Sequence, residues 1–335
     1  MLSRAAASLS ILLLLPAAAA CTDGQTVTTS DAARLVAASG PRVVVAASSE
    51  TEQPSLGCGG GGDPLLGPSV LFVSENSGAT YERIEPADTR ALVRIGVKAG
   101  VFYSIAQGDG ASSFSVLSST DGRTWTELVS RTGVPHDFSL SGAGFAVAHS
   151  GGVLSSTDGS AWTDRATGSN LYAPSVAQVG ETLVLASPEE GTLLVANGTG
   201  WDRRSIPKMQ SIWELIPAAG GLLVTGVATL DGETTSAIAR VDLATDSVPT
   251  YLPGYVVRPV ITPLGLLDTS GNLAAIDGSE VGSFAPFMPS FESATVDGNS
   301  VQVLRNGTIS VSADGGRTFG APIALPIESF EHAAR

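Results

Sequence analysis

Ser119-Thr120-Asp121-Gly122-Arg123-Thr124-Trp125 spells the end of one strand, a tight turn and the start of the next. The Asp carboxylate is placed to accept the backbone N–H groups just ahead of it, which closes the turn. Gly tolerates the positive φ that such a turn needs. The aromatic residue opens the following strand as a large apolar plug. The same pattern returns as Ser156-Thr157-Asp158-Gly159-Ser160-Ala161-Trp162 and as Ser312-Ala313-Asp314-Gly315-Gly316-Arg317-Thr318-Phe319. A looser copy reads Ser74-Glu75-Asn76-Ser77-Gly78-Ala79-Thr80-Tyr81.

Outward from these turns, equivalent markers fall at Asn76, Asp121, Asp158, Asn197, Asp246, Asp277 and Asp314. They stand roughly 40 residues apart, the length of one four-stranded propeller blade. Three short β-branched runs precede each marker and one follows it. In the third unit the runs are residues 134–141, 144–149, 153–157 and 161–165. Asn306-Gly307 between two apolar runs is a hairpin signal. No helix-period segment of useful length interrupts the series. The expected fold is all-β: a seven-bladed β-propeller of four-stranded antiparallel blades over residues 31–326.

The repeated turn resembles the Asp box, or BNR repeat, of sialidase-like β-propellers, S-x-D-x-G-x-x-W or F. The resemblance implies that Asp121, Trp125, Asp158, Trp162, Asp314 and Phe319 are structural residues on the face away from the ligand. In repeat style only, the chain also resembles the non-catalytic propellers of photosystem-assembly and sortilin-type proteins.

Residues 1–20 are expected to be an export signal, with Arg4 before a short apolar core and Ala17 to Ala20 before Cys21. This end resembles a bacterial lipobox, which makes Cys21 the lipidation site. Ala18-Ala19-Ala20 also suits ordinary cleavage and a secreted or periplasmic product. Residues 21–30 read as a tether and residues 327–335 as a C-terminal tail. The cysteines number 2, Cys21 and Cys58, and Cys58 is a lone thiol if Cys21 is acylated. A net charge of −14 argues against nucleic acid as a partner.

Propeller ligands sit over the central channel, where each innermost strand begins. By that alignment the candidate binding residues are Arg34, Arg94, His136, Asp137, Tyr172, Trp213, Glu214, Tyr255, Arg258 and Glu292. The longest insertion, residues 48–68, is a second candidate surface. A sialidase uses three arginines on a carboxylate, a Tyr–Glu nucleophile pair and an Asp acid/base. Arg34, Arg94 and Arg258, with Tyr255 and Glu214, are the residues such a site would draw on. The family's Arg-Ile-Pro-like motif is missing: Arg83-Ile84-Glu85-Pro86 follows the first box instead of preceding it. No Gly-x-Ser-x-Gly elbow precedes a helix. The 3 histidines are scattered, so neither a metal nor a cofactor is expected. The carboxylates of Gly108-Asp109-Gly110 and of Asp231-Gly232-Glu233 fall short of a calcium shell. The function expected is a non-catalytic binding or assembly module at the cell envelope, membrane-anchored by lipid, with a protein or glycan partner. An exo-glycosidase of sialidase type is the alternative.

Overall fold

A computed structural model describes residues 29–51, 65–85, 90–108, 112–141, 144–168, 174–186, 191–218, 221–245, 250–253, 260–267, 273–274 and 291–327. Every element among them is a β-strand, and every strand pair is antiparallel. Strands pair in chain order, each with its sequence neighbour. Sheet one holds Thr29–Ser39, Arg42–Thr51, Leu65–Ser74 and Glu82–Ile84. Sheet two holds Ala91–Lys98, Val101–Gln107, Ser113–Ser119 and Thr126–Thr132. Sheet three holds Pro135–Ser141, Gly144–His149, Gly152–Ser156 and Thr163–Ala166. Sheet four holds Ser175–Val179, Thr182–Ala186, Thr192–Asn197 and Gly200–Ser205. Sheet five holds Met209–Ala218, Gly221–Leu230, Glu233–Val241 and Thr250–Pro253. Sheet six shows Val260–Thr262, Gly265–Leu267 and Leu273–Ala274; the fourth strand expected there lies outside the described residues. Sheet seven holds Ser293–Asp297, Ser300–Arg305, Thr308–Ser312 and Ile323–Ala324.

Composition decides each strand's depth. The second strand of sheet one is covered on both faces and reads as an unbroken small apolar run, Val43-Val44-Val45-Ala46-Ala47, all buried. Fourth strands are polar and largely exposed, as in Thr163–Ala166. Apolar clusters join each sheet to the next. Val44, Leu71 and Val73 of sheet one meet Leu92, Phe102 and Leu117 of sheet two. Sheet two's Ile105 and Val116 meet Val147 and Leu154 of sheet three. Sheet six contributes Leu267 to Val301 and Val303 of sheet seven. Leu304 and Ile309 of sheet seven pack with Val43, Val45 and Phe72 of sheet one.

The first strand of each sheet has only one hydrogen-bonded neighbour, so its other edge carries open N–H groups. Side-chain oxygens of the preceding sheet take them up. Ser293 Oγ accepts from Val36 N and Thr295 Oγ1 from Ala38 N, each at 3.2 Å, and the Asp297 carboxylate accepts from Gly40 N. Asp137 Oδ2 accepts from Val176 N at 2.9 Å, and Ser139 Oγ from Gln178 N at 3.2 Å. Ser175 Oγ accepts from Leu215 N at 3.0 Å. An alternating Ser/Thr/Asp pattern along the inner strands thus fastens neighbouring sheets.

The four Ser–Asp or Ser–Asn turns join third to fourth strands and share one cage of hydrogen bonds. In the second sheet Ser119 Oγ accepts from Gly122 N, and Asp121 Oδ1 accepts from Arg123 N and Thr124 N, all at 2.8 Å. Ser156–Asp158 and Ser312–Asp314 repeat the pattern. Ser74–Asn76 does so with an amide oxygen in place of the carboxylate. Pairing of Ser156 with Phe145 and of Ser141 with Gly144 puts these turns at the end of the sheet where the first strand finishes.

Two local readings change. The first strand begins at Thr29, inside the expected tether, because Thr29 and Ser30 pair with Thr51 and Glu50. The 48–68 insertion is partly hairpin: Glu50 pairs with Leu66 and Thr51 with Leu65. Asp231-Gly232 is a tight hairpin turn with φ of 52° and 87° between paired Leu230 and Glu233.

Candidate binding site on the inner strands

A β-bulge recurs at one position of the first strands. The extra residue is Arg34 in sheet one, Val93 in sheet two, His136 in sheet three and Trp213 in sheet five. Each stands the same distance before its hairpin, at Ser39, Lys98, Ser141 and Ala218. Glu292 occupies this place in sheet seven, where its N–H donates to Leu304 O, the residue opposite Ser293. A bulge re-aims the residues beside it. The position after it carries Leu35, Arg94, Asp137, Ser175, Glu214 and Ser293.

Most of the sequence-predicted candidates therefore occupy two adjacent positions of the repeat. Arg34, His136, Trp213 and Glu292 are bulge residues; Arg94, Asp137 and Glu214 follow one. Tyr172, Tyr255, Arg258 and Cys21 lie outside the described residues.

The structure brings Asp137 and Glu214 together on one cavity of about 290 Å³. Its lining comes from the first strands of sheets three, four, five and six, which places it on the inner side of the molecule. Leu140, Leu215, Ile216 and Ile261 supply much of its apolar wall. Asp137 and Glu214 are the ionisable residues in the lining. Between them stands Ser175, whose Oγ donates to Asp137 Oδ2 at 2.6 Å and accepts from Leu215 N at 3.0 Å. Arg94 Nε is 3.8 Å from Asp137 Oδ1, while its Nη groups donate to Val93 O at 2.9 Å and His136 O at 3.2 Å. That guanidinium is committed largely to backbone carbonyls.

The other candidates stand apart from this cavity. Glu292 is exposed and caps the Asn306 N–H at 3.2 Å. Arg34 and His136 are half-buried. Trp213 is 37% exposed and, with Val134, makes up the exposed large hydrophobics among the described residues. Ser175, Ser139 and the apolar wall join these residues without being among the sequence-predicted candidates. The alternation of Asp137-x-Ser139 and Ser293-x-Thr295-x-Asp297 carried the signal for the struts. Among the described residues no group of three His, Cys, Asp or Glu is placed to hold a metal ion, and no helix is long and apolar enough to cross a membrane.

No family profile matches the sequence, and no curated protein sequence matches it. Solved structures do. Apo AztD from Citrobacter koseri superposes with a TM-score of 0.51 at 12% identity, over 78% of this chain and 93% of that one. A puromycin-hydrolyzing peptidase from Mycobacterium tuberculosis superposes with a TM-score of 0.53 at 13% identity, over 90% of this chain and 54% of that one. At such identities the likeness concerns the fold alone. That fold is a β-propeller: small four-stranded antiparallel sheets follow one another in chain order and pack face to face.

Proposed function

We propose that the chain is a seven-bladed β-propeller of Asp-box type, exported and lipid-anchored through Cys21. It acts as a non-catalytic binding module at the cell envelope, with a protein or glycan partner held on the inner-strand side. The single observation behind the non-catalytic reading is the use of Asp137 as a strut. Its Oδ2 is occupied by Ser175 Oγ and Val176 N, so it braces two sheets instead of shuttling a proton. Arg94 follows the same logic, since an arginine clamp for a substrate carboxylate needs guanidinium N–H groups that are not already spent on carbonyls. The seven-bladed reading draws on sheet seven packing against sheet one and on the side-chain ladder between them.

The competing reading is a sialidase-type exo-glycosidase. The deciding experiment incubates the purified protein with a fluorogenic sialoside and a panel of fluorogenic neutral glycosides. The expected result is no release of fluorophore above a buffer blank. Turnover that disappears in Tyr255→Phe or Arg258→Ala would establish the glycosidase and remove the binding-module reading.

A further inference from the structure

We infer that the inner cavity selects a small cation with an apolar body: an aliphatic ammonium, free or at the end of a lysine side chain. The inference rests on the binding-module reading and adds the chemical class of the ligand.

The first ground is the composition of the lining. Its ionisable side chains, Asp137 and Glu214, are both acids, and the remaining residues are uncharged and mainly aliphatic. An apolar wall with a few polar groups at defined points is the usual make-up of a small-ligand pocket. With those polar groups anionic, an ammonium recovers on binding part of the hydration it gives up, whereas a carboxylate is repelled.

The second ground is size. A cavity of about 290 Å³ sits at the lower edge of ligand pockets, which start near roughly 300 Å³. It suits one short alkyl chain and its head group.

The third ground is the placement of the charges. Asp137 and Glu214 hold the same position in sheets three and five, with Ser175 of sheet four between them. Ser175 spends its proton on Asp137 Oδ2, which turns that carboxylate's other oxygen, Oδ1, away from the strut. Arg94 Nε forms an ion pair with Oδ1 at 3.8 Å, longer than a hydrogen bond, so Oδ1 keeps room for a second, closer donor. An ammonium donates in three directions and can satisfy carboxylates on both sides of one cavity. A planar guanidinium needs a flatter slot.

The test is calorimetric titration of the full chain with n-hexylamine, hexan-1-ol and hexanoate at neutral pH and low salt. Wild-type protein is expected to bind hexylammonium about tenfold more tightly than the alcohol, and hexanoate not at all. Glu214→Gln should weaken hexylammonium about tenfold and leave the alcohol unchanged. Ile216→Trp should abolish both by filling the cavity. Glu233→Gln, an acid on the exposed Asp231-Gly232 hairpin, controls for the overall charge of −14 and should change nothing. Equal binding of amine and alcohol by wild-type protein overturns the inference without requiring any variant to fold. So does an equal loss of amine binding in Glu233→Gln, which would mark it as diffuse charge attraction. The fluorogenic glycosides run on the same preparation keep the two readings apart. Hydrolysis removes the binding module, while silence in both assays removes only the ammonium.

Discussion

At the scale of single residues, the turn carboxylates matter more than any candidate ligand contact. Asp121 is held down to about 2, first by the Thr124 N–H and then by the Arg123 N–H and Ser119 hydroxyl, against desolvation that pulls the other way. Asp158 and Asp314 are lowered as well, chiefly by the side-chain hydroxyls of Ser160 and Thr318. A carboxylate depressed in the folded state contributes stability that is complete above its unfolded value and is lost as pH falls through its folded value. The window therefore lies between about pH 4, where free Asp titrates, and pH 2. Chemical denaturation across that range should show falling stability in the wild type. Asp121→Asn should be less stable near neutrality and show a flatter acid slope. An identical slope in the variant would assign the acid sensitivity to other groups. These turns were fully legible in the sequence, because every hydrogen bond of the cage spans only a few residues.

At the scale of the element, equivalent glycines are not equivalent in consequence. Gly122 and Gly159 hold the same turn position with φ of 71° and 80°. A Cβ at Gly159 would meet the Phe145 ring at 3.4 Å, which is ordinary contact. A Cβ at Gly122 would be driven into Val44 Cγ2, a buried side chain of the neighbouring sheet. Gly159→Ala should cost about 1–2 kcal/mol for the left-handed backbone alone. Gly122→Ala should cost that plus about 1–3 kcal/mol of overpacking. Urea denaturation of both variants checks the difference, and equal losses would mean that the seam at Val44 yields. The turn motif predicts the shared φ. It cannot predict the unequal neighbours, since Val44 is contributed by a different repeat.

At the scale of the whole molecule, the sheets are fastened by side chains across their inner edges, and Cys21 precedes the first strand in the sequence. The proposal that Cys21 carries the anchor then has a clean expectation. Cys21→Ser should move the protein from the membrane fraction to the soluble fraction and leave the melting temperature of the folded domain unchanged. Wild-type protein found soluble and free of lipid would end the proposal.

Local residue patterns account for the hairpins: antiparallel strands in chain order, four strands to a sheet, and the Ser–Asp–Gly cages on third-to-fourth strand turns. Each depends on period-two patterning or on hydrogen bonds within a few residues, so each is written contiguously. That Arg34, Arg94, His136, Asp137, Trp213, Glu214 and Glu292 lie on or beside first strands was legible for the same reason. Which of them meet depends on how the sheets pack against one another. The bulges at Arg34, Val93, His136 and Trp213 set which side chain turns inward, and they arise from strand register. Asp137 and Glu214 share a cavity because sheets three and five face it from either side of Ser175. Arg94 bends to carbonyls because His136 O is presented to it by the next sheet. Contacts between sheets are made by residues far apart in the chain, and no local pattern records them.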